Sequence, residues 1–266
     1  MAITSTIDTN GWHTVAAIKY ADVNRAITAE GKGPSNFTQA ASDGSASVTG
    51  TFGPWQLTTG GSGPLLMMAL PITGGSVTVG TANYTISACT ATIKVQATYI
   101  PQTGSSLVNL VYDTTQAVSV ESCLPAQSNF LADASLKDLL EIWLNNNLTQ
   151  FNAVFASVDL DADYTNEGVG WLTPSFKGYA VAEPTQNPTP DNCVFGVLCL
   201  IDNTPEPAGL VWQVSPFVIP TGADAAFVIT EEKFLSHMML AAVPAMFKDI
   251  SNDPPSKHFV IDNSDT

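Results

Sequence analysis

Residues 135–158 read SLKDLLEIWLNNNLTQFNAVFASV. Leu136, Leu139, Leu140, Trp143, Leu144, Leu148, Phe151, Val154, Phe155 and Val158 recur at intervals of three and four, which predicts one amphipathic helix with a wide apolar stripe. At 1.5 Å per residue such a helix runs roughly 36 Å, about the width of a small domain, and no other segment supplies a helix of that length to lie along it. A sheet must therefore cover the stripe. Burying it fully contributes roughly 15–30 kcal/mol, before the entropy cost of ordering the side chains. Ser135, with Asp138 three residues on, forms a capping pattern that offers acceptors to the first backbone N–H groups. Asn145, Asn146, Asn147, Gln150 and Asn152 fill the polar face with neutral amides, where a solvent-facing helix carries Lys and Glu in pairs. That face either turns away from free water or is an Asn-rich exposed face, since Asn costs a helix little.

Outward from this helix the chain reads as strands and turns. Residues 14–18 predict a short strand and residues 20–28 a short helix, ended by Gly31 and the Gly33-Pro34 break. From 46 to 120 the sequence is rich in Thr, Val, Ser and Gly, with turn clusters at 59–64 and 73–76, as in linked antiparallel strands. Residues 92–99 alternate Ile93, Val95, Ala97 and Tyr99 with polar neighbours, a strand with one apolar face. Beyond the helix lie an acidic stretch at 159–170, strand material at 171–182 and a loop through Pro184, Pro188 and Pro190. Residues 193–201 are a nearly unbroken apolar run, read as a strand buried on both faces, and 209–219 continue the β character to Pro220. A second helix is predicted from Glu231 to about Phe247, with Thr230 as its cap. Its soft side includes Phe234, Leu235, Met238 and Met239, and Pro244 interrupts its end. With no repeat and no clear linker, residues 1–266 are expected to form a single domain of α+β class.

Composition narrows the functional classes. Only 12% of residues are charged while 45% are hydrophobic, against about 25% charged in an average soluble domain, so apolar surface is buried in excess: in a core, a subunit interface, a bound lipid or a membrane surface. The formal net charge is −15 and Arg25 is the single arginine, which argues against nucleic acid, a polyanion that needs a basic stripe. An acidic surface is repelled by anionic membranes too, so lipid contact would rest on apolar burial rather than attraction. Residues 1–8 lack a charged and apolar leader, and no run reaches the length of a membrane span. The expectation is a cytoplasmic protein, or one released without a Sec signal, in which the sequons at Asn36, Asn83 and Asn147 carry no meaning.

Motifs for catalysis are thin. His13, His237 and His258 lack ligand spacing, and no nucleophile elbow, phosphate loop or dinucleotide fingerprint is present, so neither a metal, a cofactor nor catalytic residues are expected. Cys89, Cys123, Cys193 and Cys199 have no C-x-x-C spacing and read as buried free thiols. Gly60 to Pro64 reads as a hairpin turn. Asp159, Asp161 and Asp163 resemble the start of a calcium loop, but Glu167 and Gly168 are misplaced for one, and a solvated acidic loop is the better reading. Glu231 with Glu232 offers at most an acid pair.

Several blocks stand together in order: Asn10-Gly11-Trp12-His13-Thr14-Val15, Asp22-Val23-Asn24-Arg25-Ala26-Ile27, the helix with Gln150-Phe151-Asn152, Trp171-Leu172, Val194-Phe195-Gly196-Val197-Leu198-Cys199, and Ala226-Phe227-Val228-Ile229 through Pro244 to Phe247. In this order they resemble the clostridial neurotoxin-cluster accessory proteins of the forty-seven-kilodalton and OrfX type. The resemblance implies a bacterial origin and a TULIP-like (tubular lipid-binding) fold, in which a highly curved antiparallel sheet wraps a long helix. It supplies no catalytic residue. The family continues with further strands after the region of Pro244, so this chain is expected to be a truncated member or one completed by a partner. The leading expectation is a non-enzymatic protein that holds a lipid or other apolar molecule, lined by Leu140, Trp143, Leu144, Leu148, Phe151, Phe155, Met238 and Met239. The alternative is a structural or chaperone-like subunit that docks a toxin or a homologous partner with no ligand.

Overall fold

The computed structural model describes residues 7–124, 129–151, 153–159, 169–239, 250–253 and 258–261. Thr14–Lys19 (β1) runs directly into Tyr20–Glu30 (α1), which Gly31 ends in the left-handed conformation at φ 60°. Strands follow at Asn36–Ala40 (β2), Ala46–Phe52 (β3), Gln56–Leu57 (β4), Leu66–Val79 (β5), Ala82–Ile86 (β6), Cys89–Val95 (β7), Ala97–Pro101 (β8), Leu107–Tyr112 (β9) and Ser119–Leu124 (β10). The helix Phe130–Asn146 (α2) then leads to Ala156–Asp159 (β11), Pro174–Ala182 (β12), Val194–Ile201 (β13) and Ala225–Ile229 (β14). A last hairpin pairs Ile250–Asp253 (β15) with His258–Ile261 (β16).

Every named strand pair among the described residues is antiparallel. A seven-stranded sheet has the path β10-β7-β5-β3-β2, with β4 and β6 also on β5. A four-stranded sheet runs β12-β13-β1-β14 and a three-stranded one β11-β9-β8. The helix α2 lies against β10, β2, β3 and β5 of the larger sheet. Inward residues of β7, Ala91, Ile93 and Val95, join Leu136, Leu140 and Leu144 of α2 in the main core. The fold is thus a mixed α/β one, in which few helices meet antiparallel sheets.

Within the four-stranded sheet, β13 is the strand buried on both faces. Phe195 turns into the main core, whereas Val194, Leu198 and Leu200 enter a second one with Trp12, Val15, Val214 and Val218. This agrees with the unbroken apolar run of the sequence. The second core is roofed by residues 205–220, of which 209–219 were expected to be β and are irregular. Pro205, Pro207, Pro216 and Pro220 remove the donors a strand needs. Trp12 fastens this roof, since its indole N–H donates to the Val211 carbonyl at 2.8 Å and Trp212 meets its ring edge-on at 5.7 Å. Gly178 lies beneath the same ring, where an added Cβ would approach Trp12 to 2.6 Å.

Three further expectations are corrected. The long helix starts at Phe130, where the Asn129 side chain caps Leu131 and Ala132, so Ser135 lies inside it. It ends at Asn146, and Leu148–Gln150 form a 3-10 turn before β11 instead of a helix reaching Val158. The strand expected at 92–99 divides at Gln96, with β7 in the large sheet and β8 in the small one. The second helix has one α turn, Glu231–Lys233, then a π turn, Phe234–Met239, and Thr230 makes no side-chain cap. Its expected continuation through Pro244 to Phe247, Asn152, and most of the acidic loop, with Asp161 and Asp163, lie outside the described residues.

Candidate functional site

Six of the expected lining residues converge on one region, but as packing. Leu140, Trp143, Leu144, Phe151 and Phe155 are buried and Leu148 is half-buried. Trp143 meets Phe52 at 5.5 Å and Phe151 edge-on at 5.9 Å, while Phe151 lies 3.7 Å from Trp55 between ring centroids. The chain of rings continues from Trp55 to Tyr112 at 5.9 Å, from Tyr112 to Phe155 at 4.9 Å, and from Phe155 to Phe195 at 6.1 Å. Aromatic contacts of this kind add roughly 0.5–1.5 kcal/mol each beyond area burial. The space left between Leu144, Leu148, Phe151, Trp55, Tyr112 and Val118 measures about 10 Å³, on the order of a single water molecule.

Polar atoms in this interior serve mainly to fix the backbone. Asn24 on α1 donates to the Leu57 carbonyl at 3.0 Å and accepts the Leu57 N–H at 2.6 Å, a two-way clamp on β4. The Tyr179 hydroxyl donates to the Pro64 carbonyl at 2.7 Å and accepts the Ala97 N–H at 2.8 Å, so β12 is tied to the turn before β5 and to β8. Glu183 accepts the N–H groups of Gly60 and Gly61 at 2.6 and 2.9 Å, so the expected hairpin turn is docked on the end of β12. The Tyr112 hydroxyl and the Trp55 indole N–H have no hydrogen-bond partner among the described residues. Burial pushes the Tyr112 phenol far above its ordinary pKa, which keeps it neutral.

Met238 and Met239 stand apart from this region. They are 46% and 37% exposed on the π turn, outside both buried cores. Their segment is held elsewhere: Lys233 donates to the Asp202 carboxylate at 2.9 Å, His237 lies 3.3 Å from the same oxygen, and the His237 ring stacks on Trp171 at 4.6 Å. The Lys233 hydrogen bond, aided by the nearby charges of Lys233 and His237, holds the Asp202 carboxyl below its ordinary pKa.

The larger apolar opening lies on the surface, where β1, β13 and β14 face the start of β11. Its volume is about 410 Å³, and Ile18, Phe155, Phe195, Val197 and Phe227 are its largest lining side chains. Phe227 is 63% exposed. Only Phe155 of the expected lining set reaches this groove, and it also touches Tyr112 inside. Ile18 and Val197 were legible in the sequence as strand residues but not as lining. Phe227 stood only within a resemblance block, because residues 225–229 are too short for an alternation to mark their face.

A family model described as OrfX-like, Protein OrfX2/OrfX3/P47, matches residues 9–265. Protein OrfX3 of Paraclostridium bifermentans is 28% identical over 280 residues, which span 92% of this chain and 55% of that protein. Protein OrfX3 of Clostridium botulinum (strain Kyoto / Type A2) is 26% identical over 281 residues, 92% of this chain and 56% of its own length. The chain therefore spans about half the length of the curated relatives it matches. In fold it is similar to P47 from Clostridium botulinum A2, with TM-score 0.77 at 17% identity over 93% of this chain and 57% of that one. P47 of Clostridium botulinum E1 gives 0.73 at 16% identity, over 96% and 60%. With its ordered sequence blocks, its antiparallel sheets and a family match over nearly its whole length, the chain belongs to the OrfX-like family of OrfX2, OrfX3 and P47, the toxin-cluster accessory proteins.

Proposed function

We propose that the chain is a non-enzymatic accessory subunit, a single folded unit that acts through apolar surface, and that its groove receives another subunit of its own family, in the simplest case a second copy. The observation that carries this reading is Phe227, 63% exposed on the last strand of its sheet over a groove of about 410 Å³. Among the described residues β14 pairs only with β1, so its outer backbone groups offer a template for a further strand. Relatives nearly twice as long carry additional chain beside the part that matches, which favours OrfX-type protein as the occupant. With a net charge of −15, two copies repel each other at long range, so association rests on apolar burial and strengthens as salt screens the charge.

A second reading, a TULIP-like carrier of an acyl chain or other apolar molecule, draws support from the same groove. Its volume falls within the roughly 300–1,000 Å³ usual for ligand sites. The filled space beside α2 favours the first reading. Light scattering over a concentration series tests it: the wild-type chain is expected to form a larger species that Phe227→Asp returns to the 28.0 kDa of one chain. A wild-type chain that stays a monomer at high concentration and high salt, alone and with an added OrfX3 protein, would refute the docking reading.

A further inference from the structure

We propose that Cys89 and Cys123 form a dithiol site that a disulfide oxidant of the glutathione class closes into a disulfide, fastening the edge strand β10 to β7. The two Sγ atoms are 3.7 Å apart. The register pairs Cys123 with Ala91, so Cys89 is its diagonal neighbour on the same face of the sheet. A disulfide needs roughly 2.05 Å between sulfurs, and both residues lie near strand ends, where the backbone can yield: Cys89 opens β7 and Cys123 is next to last in β10. A bulge between Val120 and Ser122 already loosens the ladder beside them.

The other two thiols have no such relation. Cys193 lies just before β13 and Cys199 within it, and burial pushes each up to about 11. The proton shared between Cys89 and Cys123 favours a single thiolate: the hydrogen bond holds the Cys89 thiol below its ordinary value, opposed by burial and Asp133, while the same bond, with burial, pushes Cys123 up. Cys89 is buried and Cys123 half-buried, so the oxidant meets Cys123.

The exchange balances in two steps. The pair loses one proton to solvent, the remaining proton passes from Cys123 to Cys89 along their hydrogen bond, and the Cys123 thiolate so formed attacks one sulfur of glutathione disulfide, forming a mixed disulfide and releasing one glutathione thiolate. Cys89 then loses its proton and attacks the Cys123 sulfur, breaking the mixed bond and releasing the second thiolate. The protein dithiol is oxidised by two electrons and one glutathione disulfide is reduced to two thiols.

The test treats the full chain with excess glutathione disulfide, blocks free thiols and maps the products by mass spectrometry. The expected result is loss of two hydrogens with a peptide linking Cys89 to Cys123, alkylated Cys193 and Cys199, and a melting temperature raised by roughly 5–10 °C over the reduced chain. Cys89→Ser is expected to stop at a glutathione adduct on Cys123, and Cys123→Ser to form neither adduct nor link. Four alkylated thiols after oxidation of the native chain, or a persistent adduct on wild-type Cys123, overturn the site. A link without a raised melting temperature overturns the fastening of β10.

Discussion

His13 sits where three segments meet. Its backbone N–H donates to the Cys199 carbonyl at 3.0 Å, its carbonyl accepts the Thr230 N–H at 2.9 Å, and its ring Nδ1 accepts the Ile201 N–H at 3.2 Å. Burial, then the Lys233 ammonium, hold the imidazole below its ordinary pKa of 6.5. Between the lowered folded value and 6.5 the unfolded chain binds more protons than the folded one, so stability rises with pH through that window. The contribution of His13 is fully present above about 6.5 and is lost as pH falls through the folded value. Melting curves from neutral pH downward should therefore fall more steeply for the wild type than for His13→Gln, which keeps an acceptor but does not titrate; parallel curves would contradict this. The difference between variant and wild type is the quantity to read.

At the scale of elements, the polar face of α2 does a sheet's work. Asn145 accepts the Val118 N–H at 2.9 Å and donates to the Val118 carbonyl at 2.9 Å, and Glu141 accepts the Val120 N–H at 2.9 Å. These contacts cap backbone at the edge of β10, which pairs only with β7 among the described residues. Asn145→Ala should leave the Val118 groups unmet, cost about 1–3 kcal/mol and speed hydrogen exchange at Val118 and Val120; unchanged exchange would contradict it. The neutral amides left this face open between free water and cover: Asn145 and Asn147 are half-buried, while Asn146 and Gln150 are exposed. The start of the helix was hidden because Phe130 and Leu131 are 82% and 61% exposed and break the stripe. Its end was hidden because Phe151, Phe155 and Val158 are buried at helical spacing while lying in a turn and a strand. Strand β13 was legible from apolarity alone, whereas the segment roofing its second core matched a strand in composition and lacked the donors to be one.

For the whole molecule, the scarcity of charge has two visible destinations. Two cores flank the four-stranded sheet, and large apolar side chains such as Phe217 and Phe227 remain exposed at 68% and 63%. The family was legible because its blocks are spread along the chain. The site was not, since a stripe of Leu and aromatic residues reads alike whether it lines a tunnel or fills it, and only the volume left inside separates the two. The central claim is that this interior is packed and that the chain works by presenting its outer groove to protein. Native mass spectrometry of the purified chain, with solvent extraction of the same sample, measures this most directly. The account predicts lipid-free masses built from the 28.0 kDa chain, shifted toward the single chain by Phe227→Asp. A near-equimolar lipid that stays bound through purification would contradict it.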